Sequence, residues 1–359
     1  MFSEIKSEMK DVANLIHEAI RLDPFPTTVY PEELQSAVRD YPERGGKRIR
    51  PTLLLWTCGL FGGDINKALP AAVAVEIFHN WTLVHDDIID GDELRRGKPT
   101  THMEIGRYAI TKFGADSEKA AKFGSDLAIL AGDIQQSWAV NNMLKLAENG
   151  VDPTLTIALT RRMQEMLDRE LISGEALDVE LSLHDVENVD PADVYRMIHG
   201  KTSALLKFSV QCGAALALNQ ADFNTETQNL LADFATNLGL AYQLEDDLLG
   251  VYGEVKQFGK PLCSDFQARK PTLLYLEAKK RLSGDDAIRL NAMTGLPFYS
   301  MEMVQIIRRI ITDCGAEEAI RTISKNATDK ALESLSRLPA NEYRNKLCGL
   351  TAYLLKREI

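Results

Sequence analysis

A chain of 359 residues with 45% hydrophobic and 26% charged side chains has ordinary globular composition and can fill a large core, which excludes the disordered, collagen-like and disulfide-scaffold classes. Its formal charge of −11 removes the basic face that nucleic-acid phosphates demand, so any polyanionic substrate must be gripped by local cations or metal. Five cysteines, Cys58, Cys212, Cys263, Cys314 and Cys348, form no CxxC pair and read as reduced thiols of a cytoplasmic protein.

The first segment, MFSEIKSEMKDVANLIHEAI, carries acidic residues where a secretory signal would show a basic start, and it sets Ile5, Met9, Val12, Ile16 and Ile20 at helical spacing. Residues 1–41 are expected to form an accessory helical arm. Gly62-Gly63, Gly150 and Gly284 mark helix stops, while Asp152-Pro153, Asp190-Pro191 and Thr225 with Gln228 mark starts. Lys207 interrupts the most apolar run, SALLKFSVQCGAALAL, so no transmembrane segment is expected. Leu230, Leu231, Phe234, Leu238 and Tyr242 continue the helical pattern, and strand-like alternation is nearly absent. About ten helices in one all-α domain over residues 1–359 follow, with two unusually polar loops at 91–100 and 253–272.

Chemistry concentrates in three stretches. In LVHDDIIDGDELRRGKPTTH, Asp86 and Asp90 stand one helical turn apart, and two carboxylates on one face suit a hard divalent cation. A lone acidic run at a helix end is more often a solvated face; here it follows the apolar FHNWTLV and precedes Arg95-Arg96. A second acidic pair, Asp246-Asp247, ends another apolar helix in YQLEDDLLG, and two such clusters in a helical protein point to magnesium around a diphosphate. In GGKRIRP, Lys47, Arg48 and Arg50 crowd positive charge beside glycines, a pattern suited to an anion site without metal.

Together with the dipeptide Lys201-Thr202 and the FGKP…D…K-T loop, these residues resemble the trans-polyprenyl diphosphate synthase family over residues 44–272, with all five motifs in the family's order. The resemblance implies an all-α single large helical bundle of the isoprenoid synthase type, Mg²⁺ as cofactor and a homodimer. It further implies condensation of isopentenyl diphosphate with an allylic diphosphate (dimethylallyl, geranyl or farnesyl). It makes Asp86, Asp90 and Asp246 the principal Mg²⁺ ligands, supported by Asp247. Lys47, Arg50, His79 and Arg96 match its isopentenyl diphosphate site; Arg95, Lys201, Thr202, Gln243 and Lys260 match its allylic site. The carbonyl of Lys201, Thr202 and the Gln243 amide are then the dipoles that steady the allylic cation. One departure stands out: the second motif usually ends in Asp, and this chain has Gly250.

Two other activities compete. A class I terpene cyclase ionises the same diphosphates but needs no second cationic pocket, which GGKRIRP with Arg96 supplies; a catalytically silent subunit of a heteromeric synthase typically loses the acidic motifs, which are largely kept here. Product length depends on the floor of the tunnel one to two turns upstream of Asp86, where Phe78, Trp81 and Thr82 lie. The resemblance puts Trp81, the largest of the three, at that floor, and a short product follows, farnesyl or geranylgeranyl diphosphate, with the latter favoured.

Overall fold

Wherever a capping side chain meets an apolar run, a helix forms. In the computed structural model, which describes residues 2–253 and 262–355, the first six are α1 (Phe2–Leu22), α2 (Glu32–Glu43), α3 (Ile49–Leu60), α4 (Ile65–Ile89), α5 (Thr101–Phe113) and α6 (Ser117–Glu148). Asp64 caps α4 by accepting from the Asn66 amide at 2.9 Å, and Asp116 caps α6 from Lys119 at 2.9 Å. Next come α7 (Pro153–Met166), α8 (Ile172–Leu181), α9 (Pro191–Ile198), α10 (Ala204–Leu218) and α11 (Glu226–Tyr252). Asp152 and Asp190 cap α7 and α9 as their Asp-Pro pairs predict, through the Thr154 and Ala192 amides.

The all-α class holds, and the helix count is higher than expected among the described residues. Single π-turns at Leu167–Leu171 and His199–Ser203 divide what periodicity reads as continuous helix. Beyond residue 262 the chain breaks into short pieces: α12 (Ser264–Gln267), α13 (Leu273–Arg281), α14 (Gly284–Met293) and α15 (Met301–Asp313), then α16 (Ala316–Ser336) and α17 (Glu342–Leu355). Gly284, read as a stop, opens α14 instead. The polar loop at 91–100 contains a two-stranded antiparallel ribbon, Leu94–Arg95 against Lys98–Pro99. Arg96 and Gly97 turn it with φ of 55° and 74°, the mirror-image geometry that suits a tight hairpin.

Contacts divide the chain into two compact units. Unit 1 comprises Met1–Met163, Ser209–Thr225 and Asn341–Leu347. Its core centres on α4, which is buried on all sides from Ala71 to Phe78 and packs on α3 and α6. Residues 1–41 do not stand apart as an arm: Ile16 and Ile20 are fully buried, and buried Asp23 accepts from Trp138 Nε1 (2.8 Å), Asn142 Nδ2 (3.0 Å) and Lys145 Nζ (2.7 Å). Unit 2 comprises Gln164–Phe208, Glu226–Ala340 and Cys348–Ile359. Its core joins α9, α11, α12, α13, α15 and α16 through Ile198, Leu244, Leu248, Phe266, Leu274, Ile307 and Ile320. Among the described residues, no helix is long and apolar enough to cross a membrane.

Candidate active site

Unit 1 places the first acidic motif at the C-terminal end of α4. Asp86 is half-buried and Asp90 exposed, one turn apart, with the Asp90 amide donating to the Asp86 carbonyl at 2.8 Å. Asp87, between them, points inward and is 1% exposed. It accepts Arg95 Nε on both oxygens, at 2.6 and 2.8 Å, and the Tyr41 hydroxyl on Oδ2; Arg95 also reaches Asp86 Oδ2 at 3.1 Å. The hairpin turn separates the two arginines. Arg95 lies on the strand and returns to the acidic motif, whereas Arg96, in the turn, donates to the Gly45 carbonyl. A Cβ at Gly46 would stand 2.8 Å from the Arg96 guanidinium, so a side chain there would push this contact aside.

Arg48 is turned away from the anion-site pattern read in GGKRIRP. It takes a left-handed backbone (φ 49°) ahead of α3, and its guanidinium is buried against the Glu76 carboxylate and the Pro42 carbonyl (2.5 Å). Lys47 stays exposed and Arg50 half-buried on either side. Half-buried His79 is kept well below the usual histidine range first by burial, then by the charges of Arg50, Arg96, Arg95 and Arg48. Upstream of Asp86, buried Phe78 and Trp81 meet edge-to-face at 5.1 Å, and Trp81 meets His85 likewise at 5.6 Å. Trp81 Nε1 is buried with no hydrogen-bond acceptor, and the Thr82 hydroxyl bonds back to the His79 carbonyl at 2.8 Å.

Unit 2 assembles the second cluster around the π-turn at His199–Ser203. A Cβ at Gly174 would overlap the main chain of Gly200 and Lys201, and one at Gly239 would overlap Ser203, so glycines on α8 and α11 allow the turn to sit close. Thr202 Oγ1 then donates to Gln243 Oε1 (3.0 Å), and Gln243 Nε2 donates to Asp247 Oδ1 (3.0 Å). Lys201 Nζ meets Asp178 at 2.7 Å and Glu175 at 3.0 Å, and Lys270 approaches Asp178 at 3.5 Å. Burial pushes the Asp247 carboxyl well above its ordinary value; Asp265, Asp246 and Asp178 push the same way, and the Gln243 bond opposes them. Gly250 is buried in α11 with its carbonyl accepting the Cys263 amide at 2.8 Å, where the family pattern would set a carboxylate. Lys260 lies outside the described residues.

Sequence reasoning passed over Asp87, Tyr41 and Glu76 in unit 1, and Glu175 and Asp178 in unit 2. The last pair carries a signal in retrospect, two carboxylates three apart on one helix face in ISGEALDVEL; the others depend on partners far along the chain. Asp86 and Asp90 in unit 1, and Asp246 in unit 2, carry oxygen donors of the kind Mg²⁺ takes. Among the described residues no three His, Cys, Asp or Glu side chains form a cage, and Mg²⁺ commonly takes one or two carboxylates with the remainder from phosphate and water.

A polyprenyl synthetase family model matches residues 31–311. A short chain isoprenyl diphosphate synthase of Methanocaldococcus jannaschii is 36% identical over 266 residues, 74% of this chain and 72% of the relative. A geranylgeranyl diphosphate synthase of Saccharolobus solfataricus is 34% identical over 304 residues, 83% of this chain and 81% of the relative. Among solved structures, geranylgeranyl pyrophosphate synthase of Corynebacterium glutamicum, complexed with isoprenyl diphosphate and magnesium, superposes with a TM-score of 0.84 at 27% identity, covering 100% of both chains. With both acidic motifs, the cationic turn and the helical fold in agreement, this chain belongs to the polyprenyl synthetase family.

Proposed function

We propose that this chain is a Mg²⁺-dependent trans-prenyl diphosphate synthase that condenses isopentenyl diphosphate with a dimethylallyl, geranyl or farnesyl diphosphate into a short-chain product, as a cytoplasmic homodimer. The observation that carries the reading is the turn at Gly45, where Arg96 donates to the Gly45 carbonyl beside exposed Lys47 and half-buried Arg50, while Arg95 turns back to the acidic motif. A cluster of cations apart from the acidic motif is what a second diphosphate substrate requires and what a cyclase does without.

In this reading Lys47, Arg50, His79 and Arg96 hold isopentenyl diphosphate, and Arg95, Lys201, Thr202, Gln243 and Lys260 hold the allylic diphosphate. Asp86, Asp90 and Asp246, with Asp247 in support, would hold Mg²⁺, which when bound supplies positive charge to the departing diphosphate. Arg95 and Lys201 add fixed positive charge to the same leaving group. As the allylic C–O bond breaks, the dipoles of the Lys201 carbonyl, Thr202 and Gln243 steady the allylic cation. The isopentenyl double bond attacks that cation, and released diphosphate takes the proton whose loss re-forms an alkene, so no further strong base is demanded. Apolar walls such as Phe78 and Trp81 keep out the water that would quench the cation.

Incubation of the purified protein with Mg²⁺, labelled isopentenyl diphosphate and each allylic primer tests the proposal. Elongated allylic diphosphates support it. Hydrocarbon without incorporated label would identify a cyclase, and no turnover would identify a silent subunit.

Product length gives a sharper test. With Trp81 closing the tunnel, wild type is expected to stop at farnesyl or geranylgeranyl diphosphate, the latter favoured, and Trp81→Ala is expected to lengthen the product. Unchanged products in Trp81→Ala, with longer ones in Phe78→Ala, would move the floor to Phe78. Self-association has its own check. Ile129, Leu130 and Leu144 are exposed apolar side chains on α6 that a second copy would cover. Sedimentation is expected to return twice the 40.0 kDa chain mass at micromolar concentration, and a stable monomer would contradict the dimer.

A further inference from the structure

Asp87 and Tyr41 have no task in the reaction as assigned above, yet both are buried at the first acidic motif, at 1% and 3% exposure. Both Asp87 oxygens are occupied. Arg95 Nε bonds each of them, and the Tyr41 hydroxyl donates to Oδ2 while accepting from the Thr101 amide at 3.4 Å. Tyr41 is itself fixed, with its ring under the Arg44 guanidinium at 4.9 Å on α2. A forked guanidinium held on a buried carboxylate has little rotational freedom left. From that position Arg95 also reaches Asp86 at 3.1 Å and approaches Asp92 at 3.9 Å.

The two adjacent aspartates therefore divide labour. Asp86 is half-exposed and presents its carboxylate outward; Asp87 faces inward and anchors the arginine. Were the tyrosine hydroxyl removed, Asp87 would lose a donor in a buried setting, and the guanidinium could rotate toward Asp86. We infer that Tyr41 is a positioning residue for the allylic diphosphate: through Asp87, its hydroxyl holds Arg95 in the orientation that meets the leaving group. This rests on the assignment of Arg95 to the allylic site under the proposed function.

Tyr41→Phe keeps the ring, its packing and its place under Arg44, and removes only the hydroxyl. The KM for the allylic substrate is expected to rise about tenfold, with the KM for isopentenyl diphosphate within about twofold of wild type. Calorimetric affinity for a non-ionisable allylic thiolodiphosphate should fall by a similar factor, a readout independent of turnover. Asp87→Asn, nearly the same shape, should move the same quantities further, and the double variant should be no worse than Asp87→Asn alone, because both act through one arginine. Equal rises in both KM values, unchanged KM with only a lower melting temperature, or additive losses in the double variant would each overturn the inference. If Tyr41→Phe fails to fold, Asp87→Asn decides on the same KM split and calorimetry. A wild-type protein that elongates no primer would instead mean failure of the proposed function, visible before any variant is made.

Discussion

Asp90→Ala is expected to lower turnover by about a thousandfold or more while leaving the fold intact. Asp90 is exposed at the end of α4, and its main-chain bond to the Asp86 carbonyl survives the substitution. Stability should therefore change by no more than about 0.5 kcal/mol, as for other surface positions. The loss falls on the transition state, where a carboxylate assigned to Mg²⁺ is missing and the departing diphosphate loses several kcal/mol of charge stabilisation, each 1.4 kcal/mol being about tenfold in rate. Chelating the metal from wild type should reproduce the defect. Turnover in Asp90→Ala within a few-fold of wild type would remove Asp90 from the metal site.

The largest stability effect is expected at Glu76, which no catalytic reading singles out. Glu76 is buried against Arg48 and also accepts Asn80 Nδ2 at 3.3 Å, while the Arg48 backbone is held left-handed at the cationic turn. Glu76→Leu leaves a guanidinium buried without its counter-charge, a change that typically costs about 3–5 kcal/mol. Arg48→Met combined with Glu76→Leu should recover most of that loss, since an apolar pair of similar volume avoids the desolvation altogether. Denaturant midpoints for the three proteins provide the check. A double variant as unstable as Glu76→Leu would show that the loss comes from packing rather than from a stranded charge.

These two residues mark what the sequence makes legible. Asp90 is readable because its chemistry is local: a carboxylate one turn from another, at the end of an apolar helix, needs no knowledge of distant residues. The helix starts at Pro153 and Pro191 are readable for the same reason, an Asp-Pro pair being its own cap. Arg48 is not, because what decides between surface cation and buried ion pair is Glu76, 28 residues further on. The same holds for Lys201, whose partners Asp178 and Glu175 sit 23 and 26 residues upstream. The π-turns escape for a different reason: one added residue per turn changes the main-chain bonding, and of the glycines that accommodate the turn at His199–Ser203, Gly200 lies within it while Gly174 and Gly239 lie on neighbouring helices.

The make-up of unit 1 bears on how the chain is born. Residues 341–347 belong to it, and they do more than touch it: Asn341 Nδ2 donates to the Leu60 carbonyl at 2.9 Å, Tyr343 fills the space that a side chain at Gly59 would occupy, and Lys346 pairs with Glu8 at 3.2 Å. Translation proceeds from the N-terminal side at about 5–20 residues per second. The ribosome therefore releases α1 to α6 many seconds before the strap that closes over α3 exists, and the nascent segment must wait with that surface uncovered. Neither unit can be completed in its order of synthesis, so a holding chaperone has its longest opportunity on the growing chain rather than on the finished one.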